Sequence, residues 1–283
     1  MIEENTHLDL CSGIGGFALA IADAAKRTDR NVRTVAFCEP DKFCQQVLNK
    51  HWPNVPIFDD VKTFPRDFGK VDILTAGYPC QPFSQAGKRK GTADDRHIWP
   101  WVLEIVKQTR PDVAVFENVV GHISMGLDEV LLDLENEGYR AWPLVLGAVS
   151  KNAPHRRQRV WIVAYANSES EPDGSQHEQR MVADTKFSKL QGSIKKQVYG
   201  QSDIQGQPGR SSEDAQERWS AQQRMGGIIN GLSTWVDGDW ERGVPRVTEG
   251  QKDRAKRLKA LGNSIVPQVA SEIFTAIFES EDA

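Results

Sequence analysis

At 283 residues, with 39% hydrophobic residues and a formal net charge of −4, the chain suits one large domain or one domain with a smaller insert. Its four cysteines form no CxxC pair, and the only close pair, Cys38 and Cys44, has no partner at ligand spacing; this argues against a disulfide framework and a zinc site, so no metal is expected and a cytoplasmic location is the default. No basic leader with an apolar stretch opens the sequence, and no apolar run approaches the roughly 20 residues of a membrane span, so neither export nor a membrane partner is expected.

The first half alternates between strand and helix patterns. Strands are expected at Thr6 to Leu10, Val32 to Cys38, Val71 to Gly77 and Asp112 to Asn118. Helices are expected at Gly16 to Arg27, at Asp41 to His51 with Asp41 as N-cap, at Arg96 to Gln108 with Pro100 in its first turn, and at Leu127 to Gly138 with Gly138 closing it. Two further strands, "YRAWPLVLGAV" and "RVWIVAYA", end near Ala166. This alternation predicts an α/β fold with a mainly parallel sheet.

From Asn167 to about Arg224 the chain is rich in Ser, Gln, Glu, Lys and Gly and lacks a period, which reads as a loop-rich insert. Trp235 and Trp240 return apolar character and are expected to form a small core. Ile265, Val266, Val269, Ile273, Ile277 and Phe278 then fall at helical spacing, so a C-terminal helix should pack back on the first half. The expected organisation is a core over 1–166, an insert over 167–255 and a segment over 256–283 that returns to the core.

Several residues could carry chemistry. "DLCSGIGGF" follows a strand and opens a helix, so Gly13, Gly15 and Gly16 permit a tight turn and close approach of a ligand to the helix N-terminus. It is not GxGxxG, so the dinucleotide fingerprint fails. Glu39 ends the second strand, where such folds place an acid on a ribose, and Asp60 follows the third. Cys80 follows the strand Val71 to Gly77 at its carboxyl end, between Pro79 and Pro82 and beside Lys88, Arg89 and Lys90. Flanking prolines fix the backbone, and nearby cations favour a thiolate, which distinguishes this cysteine from an inert buried thiol. Glu117 ends another strand, where burial would keep it protonated as an acid. Arg157 and Arg159 stand at i, i+2 on one face of a strand start, where together they could hold an anion or a carbonyl.

In this order, "DLCSGIGGF", "FCEPD", "DDV", "GYPCQPFS", "FENV", "RRQRVWIVA" and "LGNSIVPQVA" closely resemble the DNA cytosine carbon-5 methyltransferases of bacteria and phages. The resemblance covers about the first 165 residues and the last 25. It implies a Rossmann-like domain that binds S-adenosyl-L-methionine, with a small target-recognition insert over 167–255. It implies a reaction in which Cys80 adds to carbon 6 of a cytosine flipped out of double-stranded DNA, and carbon 5 receives the methyl group. Glu117 matches the acid at ring nitrogen 3, and Arg157 and Arg159 match residues near the base and its phosphate. The cofactor positions matched are Cys11, Gly13, Ile14, Gly15, Glu39, Asp60, Pro79 and Asn263. Gln81, Ser84, Lys88 and Arg96 are the matching DNA-contact candidates in a mobile loop, and no obligate protein partner is implied.

The chain departs from the family pattern at Cys11 (usually Phe), Pro40 (often aromatic) and His155 (usually Gln). The first two bear on adenine and methionine contacts; no chemically required group is lost. A restriction-modification, phage-protection or orphan role fits equally. The rival readings are a tRNA cytosine-5 methyltransferase, because a branch of the same motif set acts on tRNA, a catalytically dead DNA-binding homologue, and a small-molecule methyltransferase. Intact Cys80, Glu117, Arg157 and Arg159 oppose the second. The basic loop and the long insert oppose the third.

Overall fold

The computed structural model describes residues 4–79, 98–148, 157–167 and 253–281. In chain order these form β1 (Glu4–Leu10), α1 (Gly16–Arg27), β2 (Asn31–Cys38), α2 (Lys42–His51), β3 (Ile57–Phe58) and β4 (Ile73–Ala76). There follow α3 (Trp99–Thr109), β5 (Val113–Val119), α4 (Leu127–Asn136), β6 (Tyr139–Gly147), β7 (Gln158–Ala166), α5 (Arg254–Asn263) and α6 (Pro267–Glu281). The strands make a seven-stranded sheet in the order β3-β2-β1-β4-β5-β7-β6. The first five are parallel, and β7 runs antiparallel to both β5 and β6.

Local signals explain the boundaries. Asp41 caps α2, its carboxylate accepting from the amides of Phe43 (2.9 Å) and Cys44 (3.3 Å). Pro100 sits in the first turn of α3, where a missing amide costs nothing. Gly138, at φ +81°, makes the left-handed turn after α4 that other residues rarely adopt.

The core has two sides because side chains alternate along each strand. Leu8 and Leu10 of β1, with Ala114 and Phe116 of β5, face α3 and α4. Val113 and Val115 of β5, with Trp161 and Val163 of β7, face α1 and α6. The returning segment is therefore part of the core, as the periodicity of its apolar residues predicts. Val269 to Phe278 of α6 are buried throughout. Glu272 of α6, also buried, takes the Arg27 guanidinium of α1 at 3.0 Å.

One expectation is corrected here. Ile265 and Val266 do not belong to a continuous helix: the chain breaks between α5 and α6. Ser264 is extended (φ −67°, ψ 148°), and Pro267 begins α6; the residue before a proline is pushed out of the helical region.

Candidate functional site

The sheet order sets the site. β1 lies between β2 and β4, so the chain turns one way after β1 and the other way after β4. The crevice beyond the carboxyl ends of these two strands is the place where open α/β sheets bind ligands. The turn after β1 is tightly tied. The Ser12 hydroxyl donates to the Asp9 carbonyl (2.6 Å), the Ser12 amide to the Cys38 carbonyl (3.2 Å), and the Gly15 amide to the Ser12 carbonyl (2.9 Å). Gly15 has φ +83°, and a Cβ there would meet the Trp52 ring at 2.6 Å. Trp52 cannot retreat easily, since its ring packs on Phe37 at 5.3 Å. Gly15→Ala is therefore expected to destabilise the fold by about 2–4 kcal/mol, combining a left-handed alanine with overpacking, as read by denaturant unfolding.

A cleft of about 470 Å³ opens at this crevice. It brings together Cys11, Gly13, Glu39, Asp60, Pro79, Glu117, Arg159 and Asn263, which are far apart in sequence. Ile14, Gly15 and Arg157 stand outside its lining. Glu39 is buried, and its carboxylate accepts from the Gly13 amide (2.8 Å) and the Asp41 amide (2.8 Å). Burial pushes its pKa up, and these two amides hold it back. Asp60 accepts from the Lys62 amide (3.0 Å). Across the cleft, Lys259 of α5 reaches Asp41 at 3.1 Å, which holds α5 beside the end of β2.

Glu117, on β5, is 8% exposed, and its carboxylate meets the Arg159 guanidinium at 2.8 Å. The antiparallel pairing of β5 with β7 makes this contact, setting Glu117 opposite Trp161 and Val119 opposite Arg159. Burial pushes the Glu117 pKa up to about 7, against the pull of Arg159 and Arg157. In the structure the two arginines take different partners. Arg157 precedes β7 at φ +32°, so the i, i+2 alternation of a strand does not hold there. Its guanidinium instead donates to the carbonyls of Gly262 (2.7 Å) and Ser264 (2.5 Å), at the break between α5 and α6. Those carbonyls have no helical partner at a helix end, and Arg157 supplies one.

Cys80, Gln81, Ser84, Lys88 and Arg96 lie outside the described residues, as do His155, Trp235, Trp240 and residues 168–252. Pro79, the last described residue before Cys80, lines the cleft. Cys11 and Pro40, the two departures from the family pattern that are described, line it as well.

The sequence reading passed over three groups beside the site. Asp9 is fully buried and accepts from the Thr75 hydroxyl at 2.9 Å; burial pushes its pKa up to about 8. His7, also fully buried, stands 2.9 Å from the same hydroxyl, and burial pulls its pKa down to about 3. Burial thus favours the neutral form of both. Their signal was available: a central parallel strand is covered on both faces, so His7 and Asp9 of "THLDL" had to be buried. The third is Tyr78, whose hydroxyl lies 3.0 Å from His122 Nε2.

Comparison with known proteins agrees with this architecture. A family model described as C-5 cytosine-specific DNA methylase matches residues 6–233. The Type II methyltransferase M.BsuFI of Bacillus subtilis is 35% identical over 165 residues, covering 56% of this chain and 39% of that protein. The Type II methyltransferase M.HhaI of Haemophilus parahaemolyticus is 32% identical over 165 residues, covering 56% of this chain and 49% of that protein. The chain spans about half the length of the curated relatives it matches. Among solved structures, the S. pombe Dnmt2 methyltransferase aligns over 99% of this chain and 100% of its own, with a TM-score of 0.59 at 19% identity. That likeness speaks to the fold, a Rossmann-like methyltransferase sheet.

Proposed function

This chain belongs to the C-5 cytosine-specific DNA methylase family, and from that premise we propose that it methylates carbon 5 of cytosine in double-stranded DNA. The observation that carries the reading is the Glu117–Arg159 pair at 2.8 Å, set in the same cleft as the glycine turn and Pro79. A carboxyl whose pKa stands near 7 is matched to proton work at neutral pH.

The cleft suits S-adenosyl-L-methionine. Its volume falls in the usual range for small-ligand sites, roughly 300–1,000 Å³. Gly13 has nothing within 4 Å of where a Cβ would stand, which leaves its backbone open to a ligand. Glu39 and Asp60 offer carboxylates suited to hydroxyl and amino groups, and Cys11, Pro79 and Asn263 complete the lining that would hold it. When bound, the cofactor supplies an electrophilic sulfonium methyl for carbon 5. The residues of the chain do the rest. The Cys80 thiolate forms a bond to carbon 6, and the ring electrons move so that carbon 5 becomes nucleophilic. Glu117 donates toward ring nitrogen 3 and offsets the charge that builds there. Arg159 fixes the Glu117 carboxyl, and Arg157 holds the backbone at the α5–α6 break. Loss of the carbon-5 proton and expulsion of the Cys80 sulfur then restore the aromatic ring.

The target carbons are hidden in a stacked duplex, so the base must leave the helix. Gln81, Ser84, Lys88 and Arg96 are assigned to DNA contact, and residues 167–255 to target recognition. Affinity for duplex DNA is accordingly expected to fall steeply with salt despite the net charge of −4, because phosphate contacts release counterions. Titration of a fluorescent duplex at several salt concentrations reads the slope, and a flat response would oppose duplex binding. The direct test is transfer of labelled methyl from S-adenosyl-L-methionine to unmethylated DNA, followed by bisulfite sequencing. Carbon-5 methylation within one short motif supports the reading. Transfer to tRNA alone would replace it with the tRNA reading.

A further inference from the structure

One aromatic contact ties the residues that follow β4 to the start of α3. Tyr78 stacks on Trp99 with ring centroids 5.4 Å apart and an interplanar angle of 41°. Both rings pack on Phe116, the neighbour of Glu117 on β5, at 6.4 and 5.4 Å. Trp99 is further held by its indole N–H, which donates to Asp133 of α4 at 2.8 Å. Tyr78 is oriented within this cluster by His122, in the turn Val120–Ser124 that follows β5. The Tyr78 hydroxyl and His122 Nε2 lie 3.0 Å apart, the two rings meet edge to face at 5.7 Å, and both residues are buried.

We propose that His122 is a positioning residue for the reaction: by holding the Tyr78 hydroxyl it fixes the backbone that leads into Cys80 against the strand that carries Glu117. This rests on the reading of Cys80 as the nucleophile. An apolar pair could fill the same space. A buried hydroxyl–imidazole pair adds direction, since its hydrogen bond weakens steeply away from the right distance and angle. The consequence is for catalysis more than for stability. Tyr78 is two residues from the reacting sulfur, and a misplacement of about 1 Å can cost about 100-fold in rate.

The test compares Tyr78→Phe, His122→Leu and the double variant Y78F/H122L in the full chain, beside Cys80→Ala. Each single change breaks the buried Tyr78–His122 hydrogen bond, so both should lower the unfolding midpoint. The double variant removes both polar groups and should recover most of that stability. If His122 positions the nucleophile, the double variant still shows kcat reduced about 10- to 100-fold, with the KM for DNA within about twofold of the parent. If the pair only packs the core, kcat returns together with stability in the double variant, and the proposal is overturned. Full methyl transfer by Cys80→Ala would overturn the underlying reading instead. An inactive Cys80→Ala beside a fully active Y78F/H122L would overturn the positioning role alone.

Discussion

Cys80→Ala is expected to lower methyl transfer on the order of 10⁶-fold, while binding of duplex DNA and of S-adenosyl-L-methionine stays within about threefold of the parent. The loss should be this large because no other described thiol can take over. Cys38 and Cys44 line the same cleft, but burial together with nearby carboxylates pushes their pKa values up to about 12 and about 11. For Cys38 the carboxylates are Asp60 and Glu39; for Cys44 they are Glu39 and Asp41. Burial, with Cys38 and Glu39 nearby, also raises the Cys11 thiol well above its ordinary value. A thiol in such surroundings stays protonated at neutral pH and is a poor nucleophile. Residual transfer above a thousandth of the parent rate would assign the nucleophile elsewhere. Binding is expected to survive because alanine removes one sulfur and leaves the lining acids and the glycine turn intact. Fluorescence anisotropy for DNA and calorimetry for the cofactor separate the two quantities.

The parts of the fold that were legible in the sequence are those fixed by local periodicity. The strands β1, β2, β4 and β5 and the helices between them follow from apolar alternation and from caps such as Asp41 and Gly138. The break between α5 and α6 was not legible in the same way, because Ile265 and Val266 keep helical spacing across it; Pro267 was the signal that outranked the period. The site divides along the same line. Glu39, Asp60 and Glu117 end or follow parallel strands, so the topology alone carries them to one crevice. Arg157 and Arg159 were assigned together because strand alternation was extended one residue too far. The positive φ of Arg157 goes with carbonyl partners 105 and 107 residues away, which no local pattern shows. Tyr78 and His122 were invisible for a related reason. Nothing local marks a hydroxyl–imidazole pair 44 residues apart, and it exists only because β4 and β5 are neighbours.

Glu117→Gln is expected to lower kcat by about 10²–10⁴-fold and to remove the alkaline limb of the pH profile. The sign follows from the direction of the shift. Burial raises this carboxyl from an ordinary value of 4.5 to about 7, so it is largely protonated below pH 7 and loses its proton as pH rises through that value. If the protonated form donates toward ring nitrogen 3, the kcat/KM of the parent falls above about pH 7 and approaches a tenfold loss per unit. The amide of the variant side chain has no proton to release in this range, so a rate that is low and free of this limb identifies the group. A limb that persists in the variant would assign it to another residue. Arg159→Ala provides the converse. Its charge lowers the Glu117 pKa, so its removal should raise that pKa and carry the limb to higher pH. The same displacement has a signature in stability, with its sign set by linkage. A carboxyl raised on folding contributes stability that is complete below the unfolded value near 4.5 and is lost as pH rises through about 7, a change of about 3 kcal/mol at most across that window. Thermal unfolding of the parent between pH 4.5 and 8 should show this decline, and Glu117→Gln should flatten it. A slope unchanged by the substitution would mean that Glu117 does not titrate near neutrality, and the acid role assigned to it would fall with that result.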